Sequence, residues 1–162
     1  MKTIPILLAL GCSAFLGSAA RAHDKNAPLN EEQKAFLAQY ESVRTALAAD
    51  DLVATKKAAS AITTESKAVP AESLTPEQRE RQTSFAATVK KIASADSLNI
   101  ARDGFKQLSK RAVHYAGGKP GYYIAHCSMV PNEEGDWIQT SANISNPYYG
   151  KSMLTCGSIK AK

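Results

Sequence analysis

The methionine and cysteine of this chain gather at the two ends of one short stretch, "HCSMVPNEEGDWIQTSANISNPYYGKSMLTCG", from His126 to Gly157. Apart from Met1 and Cys12, no other sulfur residue occurs. Thiolate and thioether sulfur select soft ions, Cu(I) and by extension Ag(I), over the harder divalent metals. Cys127 and Met129 lie two apart, so on an extended strand they point to one side. Met153 and Cys156 lie three apart and share a side on a turn or helical start. If the two pairs converge, two thiolates and two thioethers surround one ion, with His126 and His114 as a nitrogen reserve. Structural zinc wants four Cys or His ligands in paired units, and the spacing of Cys127, Cys156 and the two histidines fits neither common unit. The two cysteines could equally form a disulfide in an oxidising compartment. That bond would close a loop of about 29 residues and stabilise by about 3.5 kcal/mol in the chain-entropy model. It would leave the methionines as ordinary gap-fillers. Spacing alone keeps both readings open.

Catalytic chemistry finds little support. A cysteine nucleophile wants a histidine base and an orienting third group, and Cys127 has only its sequence neighbour His126. No Gly-x-Ser-x-Gly, phosphate-cradling glycine loop or His-Glu-x-x-His occurs, and Glu133-Glu134 in "PNEEGD" reads as a polar turn. The expectation is a protein that is not an enzyme. Its formal charge of +5 is spread along helical segments without the aromatic-and-basic interleaving of a single-strand groove, so nucleic acid is not expected as a partner.

Four helical segments must position the sulfur. The first follows Asn30 as N-cap, with Glu31 and Glu32 in its first turn and Phe36, Tyr40, Val43 and Leu47 on one face. Asp50-Asp51 breaks it and caps a second, alanine-rich segment that carries Leu52, Ala59 and Ile62 and ends at Val69-Pro70. "TPEQ" opens the third with Thr75 as cap, Pro76 at the first position and Gln78 closing a capping box; Phe85, Val89 and Ile92 form its stripe. The fourth starts near Asp96-Ser97, runs Leu98, Ala101, Phe105, Leu108, Ala112 and Tyr115, and stops at Gly117-Gly118. Links that are mostly short make this a mainly α protein, an up-and-down four-helix bundle. After Gly118 the texture turns to short strands and turns, with Trp137, the single tryptophan, and four of the six tyrosines. This irregular, short-strand tail is too short to be a domain and is expected to cap the bundle.

The beginning of the chain reads as an export signal: Lys2, the apolar "IPILLALGCSAFLG", then "ARA" ending at Ala22. The apolar run is short of the roughly 20 residues of a membrane span, so no stable membrane insertion is expected after cleavage. Cleavage after Ala22 leaves 140 residues beginning at His23, and removing Lys2 and Arg21 takes the formal charge from +5 to +3. A lipoprotein reading through Cys12 is the weaker one, because apolar and small residues continue past it to the cleavage site. An N-terminal His23 would be a natural Cu(II) chelate but has no second histidine nearby in sequence. The expected organisation is a signal peptide over 1–22, a flexible start over 23–29, the bundle over 30–117 and the Cys/Met cap over 118–162, bundle and cap forming one domain.

The tail resembles the C-terminal signature of a domain-of-unknown-function family of exported bacterial proteins, also found attached to periplasmic adaptor subunits of copper/silver efflux systems. The family pattern pairs an Arg-x-x-Phe-x-x-Leu-Ser helix with a Cys-Pro-Met and an Asn-Pro-Tyr-Tyr-Gly-Lys-x-Met-x-x-Cys-Gly close. Arg102, Phe105, Leu108 and Ser109 match the helix; Asn146, Pro147, Tyr148, Tyr149, Gly150, Lys151, Met153, Cys156 and Gly157 match the close. The resemblance implies a periplasmic or secreted helical bundle that handles heavy metal, with Cys127, Met129, Met153 and Cys156 as ligands and His126 secondary. It also implies a copper/silver efflux adaptor as partner. Asn146 to Gly150 would be a rigid turn whose tyrosines, with Trp137, pack the tail on the bundle. Ser128 stands where the family has proline, which relaxes the backbone between Cys127 and Met129. The alternative is a structural or interaction module with a Cys127–Cys156 disulfide.

Overall fold

The computed structural model describes residues 27–64 and 71–161. The expected leader with Cys12, the His23 start and the Val69-Pro70 stop lie outside the described residues. Local chemistry sets the helix ends. Asn30 caps α1 (Glu31–Ala48): its side chain accepts the Gln33 N–H at 2.8 Å, while the Asn30 N–H donates to Gln33 Oε1 at 3.0 Å. α2 (Leu52–Ser60) starts on Asp51, whose carboxylate accepts the Ala54 N–H at 2.8 Å. Thr75 and Gln78 form the reciprocal box of α3 (Pro76–Ala93). Ser97 caps α4 (Leu98–Ala116), which ends at Gly117.

The second helix is shorter than its sequence pattern suggests. It ends at Ser60, with Ala61 as C-cap. Three β-branched residues in succession, Ile62, Thr63 and Thr64, follow; such side chains lose rotamer freedom in a helix. Ile62 still turns into the core just past the helix end.

α1 packs on α2, α2 on α3, α3 on α4, and α4 returns to α1, which closes the expected bundle. The stripes Phe36, Tyr40, Val43, Leu47 and Phe85, Val89, Ile92 are buried, as are Ala101, Phe105, Leu108 and Ala112 of α4, while Leu98 and Tyr115 are partly covered. Beyond Gly118 three strands form an antiparallel sheet in the order β2-β1-β3: β1 (Tyr123–His126), β2 (Asp136–Gln139) and β3 (Ser158–Ile159). Ala125 lies opposite Trp137 on one side and Ile159 on the other; His126 lies opposite Asp136 and Ser158. β2 rests on α4.

Bundle and cap share one core. Phe85, Phe36, Tyr40, Phe105, Tyr148 and Trp137 form an unbroken chain of ring contacts, with Tyr40 stacked on Phe105 at 5.1 Å and Tyr148 meeting Trp137 edge-on at 5.9 Å. Polar groups inside this chain are paired. The buried Tyr40 hydroxyl accepts the β2 N–H of Ile138 at 3.1 Å and shares a 3.1 Å hydrogen bond with Ser109 Oγ. Burial pushes the Tyr40 phenol far above its ordinary range, so it stays neutral. Trp137 Nε1–H donates to Gln139 Oε1 at 2.9 Å.

A polar clamp fixes the tail to the corner between α1 and α2. The Asp51 N–H reaches back to Ala46 O at 2.9 Å and the Asp50 N–H to Leu47 O at 3.1 Å, while Asp50 itself is left-handed (φ 58°). This is a Schellman ending with aspartate where glycine is usual. Asp50 Oδ2 accepts the Lys151 N–H at 2.9 Å, and Oδ1 pairs with Arg102. Arg102 in turn donates to Pro147 O at 3.0 Å and Leu47 O at 3.2 Å. Gly150 (φ 56°) passes so close that a Cβ there would overlap the Asp50 carboxylate.

Candidate functional site

Two arms of the cap carry the four sulfurs. The first leaves β1. The Cys127 N–H donates to Gly135 O at 3.0 Å, and Cys127 O accepts the Val130 N–H at 3.2 Å, closing a tight turn through Ser128 and Met129. Ser128 stands at the second position of that turn, where proline's fixed φ is favoured. The turn closes with serine there. Cys127 is fully buried, and Met129 is 58 % exposed.

The second arm is built on Asn146. This residue is completely buried, and every polar atom it has is used. Its N–H donates to Leu154 O at 2.8 Å and its carbonyl accepts the Gly150 N–H at 3.1 Å. Its side-chain oxygen accepts the Tyr148 and Tyr149 N–H groups at 2.8 and 3.2 Å, and Nδ2 donates to Cys156 O at 2.8 Å. A 3-10 turn over Gly150–Ser152 follows, then a turn in which the Cys156 N–H donates to Met153 O at 3.0 Å. Gly157 (φ 136°) then crosses Trp137 so closely that a Cβ would lie 2.9 Å from ring atom Cη2. That crossing lets β3 pair beside β1.

The arms meet at the cysteines. Cys127 Sγ and Cys156 Sγ are 3.0 Å apart and unbonded, although 29 residues separate them in sequence. Cys156 is partly exposed. Its hydrogen bond with Cys127, then desolvation and the charge Cys127 would carry, raise its pKa above the ordinary thiol range. A second link joins the arms: Tyr149 Oη donates to Met129 O at 2.6 Å. Met153, half-buried, caps the 3-10 turn just ahead of Cys156.

His126 is held elsewhere. It alternates with Cys127 along the chain and takes the opposite, half-exposed side, with Nδ1 2.7 Å from Asp136 Oδ1. Lys160 Nζ donates to the other oxygen, Oδ2, at 2.7 Å. His114 sits exposed in the last turn of α4 with its ring against Tyr115. Among the described residues, no group of three or more His, Cys, Asp or Glu could hold a metal ion. Tyr148, Trp137 and Pro147 are buried, and Tyr148 Oη donates to Asp136 O at 2.7 Å. Sequence reasoning missed Asp136 and Asp50. The one local signal for Asp50 was the Asp-Asp pair, read there as a helix break and the cap of the next helix.

A family model described as "Protein of unknown function (DUF3347)" matches residues 36–118, just over half of the chain. The chain belongs to that family. The match begins at Phe36 in α1 and ends at Gly118, so what marks a DUF3347 protein here is the bundle, and the Cys/Met cap lies beyond the matched residues. No curated protein and no solved structure matches the chain. The DUF3347 bundle supplies Arg102, Phe105 and Tyr40 to the cap's clamp and core, which is how the matched and unmatched parts are joined.

Proposed function

We propose that this DUF3347 protein is exported to the periplasm or secreted, and there binds a soft ion, Cu(I) or Ag(I), between Cys127 and Cys156, with Met129 and Met153 as thioether ligands. It would buffer the ion or hand it to a partner, for which a periplasmic adaptor of a heavy-metal efflux system is the natural candidate. One observation carries the reading: two thiols from distant parts of the cap lie 3.0 Å apart, each on a turn that also holds a methionine. The donor set suits the ion. Two thiolates and two thioethers are soft ligands, and the partly exposed Cys156 gives an ion a way in. His126, engaged by Asp136 on the other side, is left out of the ligand set.

The test is competition of the reduced, anaerobically purified protein against a Cu(I) chelator. One equivalent should bind tightly, and Cys127→Ser or Cys156→Ser should abolish it. A Met129→Ala, Met153→Ala double variant should bind at least about tenfold more weakly, a loss of about 1.4 kcal/mol. Binding by that double variant as tight as wild type would remove the thioethers from the site. No binding by the reduced protein would leave the second reading, which the same 3.0 Å approach favours: a structural module stapled by a Cys127–Cys156 disulfide.

A further inference from the structure

The two thiols differ in access, and that asymmetry carries a consequence beyond ion binding. Cys127 is sealed in the core, whereas Cys156 reaches solvent. Both backbones are pinned, Cys127 by Gly135 and Val130, Cys156 by Met153 and Asn146. An external reagent can therefore touch only Cys156, yet Cys127 already lies 3.0 Å behind it. A disulfide needs the sulfurs at about 2.05 Å, so bonding asks for a movement of about one ångström.

We propose that the pair is an ordered thiol–disulfide exchange site, in which Cys156 takes the first bond and Cys127 resolves it, and that the resulting disulfide shuts the soft-ion site. Cys156, as thiolate, attacks one sulfur of an external disulfide of the R–S–S–R class. The external S–S bond breaks, one RS⁻ leaves and takes up the proton Cys156 gave, and Cys156 carries an S–S–R bond. Cys127 then loses its proton and attacks Cys156 Sγ, releasing the second R–S group as thiol. Two electrons and two protons pass from the protein to the external disulfide, which becomes two RSH. Soft-ion binding and the disulfide use the same sulfur electron pairs, so each state excludes the other. The gating half of this proposal rests on the soft-ion reading; the exchange half does not.

The experiment uses the reduced, metal-free protein with oxidised glutathione, acid quenching and peptide mapping. Wild type should show a transient adduct on Cys156 followed by the internal disulfide. Cys127→Ala should stall as a stable Cys156 adduct. In Cys156→Ala, the buried Cys127 should react about 100-fold more slowly than Cys156 does in wild type. Circular dichroism of each variant checks that the fold survives, and the wild-type time course stands if a variant does not fold. A first adduct on Cys127, or a Cys156 adduct that never resolves in wild type, overturns the order. In a second arm, one equivalent of Ag(I) should slow adduct formation at Cys156 at least about tenfold. Unchanged reactivity in protein shown to hold Ag(I) overturns the gating. Failure to bind Ag(I) at all sinks the soft-ion reading and with it the gate, while the first arm decides the exchange chemistry alone.

Discussion

Asp50 holds a backbone conformation that costs an L-residue about 1–2 kcal/mol. Glycine there would remove the strain, and the fold uses aspartate because its two oxygens join α1 to Arg102 and to the Lys151 N–H. Those hydrogen bonds, the Lys151 backbone donor first and the Arg102 side chain next, hold its carboxyl below the ordinary carboxylate range. A depressed folded-state pKa stabilises above the unfolded value of about 3.9, and the contribution is lost as pH falls through the folded pKa. Chemical denaturation across the acid range should therefore show wild-type stability falling as pH drops below about 4. Asp50→Asn should show a flatter profile there and lower stability at neutral pH. Gly150→Ala probes the same clamp from the other side. Its Cβ would enter the Asp50 carboxylate from a left-handed backbone, so a loss of about 2–4 kcal/mol in urea unfolding is expected. None of this was legible in sequence. Asp50-Asp51 read as a helix break and cap, and Asn146 to Gly150 as a rigid turn against the bundle, and nothing local says that these two turns face each other.

At the level of elements, what could be read and what could not divide along the reach of the interactions. The caps Asn30, Asp51, Thr75 and Ser97 act within three residues of themselves, so local chemistry announced them, and the helical stripes followed from a short period. The early end of α2 was missed because alanine-rich sequence stays helical in pattern while Ile62 is drawn into the core. Short strands beyond Gly118 were legible as a texture, but the pairing of β1 with the four residues of β2 and the two of β3 depends on partners 10 or more residues away. The side of the strand that His126 takes follows from that pairing. The Cys–Cys approach was anticipated as one possibility and required the Asn146 arm to be real. That arm makes a prediction of its own. Asn146→Ala leaves the Cys156 carbonyl and two tyrosine N–H groups without their Asn146 partners and should cost about 2–4 kcal/mol. Hydrogen exchange should show the 153–157 turn opening before β1 and the helices do.

The molecule as a whole should melt as one unit, because the ring contacts from Phe85 to Trp137 cross from bundle to cap without a break. Calorimetry should give matching calorimetric and van't Hoff enthalpies. Separate transitions for bundle and cap would show that the shared core is weaker than its geometry implies. The cysteine pair adds a second whole-chain effect. Joining the thiols constrains the unfolded chain over about 29 residues, worth about 3.5 kcal/mol. For a chain of this size that is a rise of roughly 10 °C in Tm on oxidation. A shift near zero would mean that the native arms must distort to bond.

The placement of Trp137 has a practical side. It is the single indole of the chain, and the Gly157 crossing sets it against the residue that follows Cys156. Thiolates and heavy soft ions quench indole emission at short range. Each state of the sulfur pair, whether protonated, ion-bound or oxidised, should therefore have its own fluorescence intensity. The protein carries a built-in optical probe of its own site, and loading or oxidation could be followed in unlabelled, unmodified material.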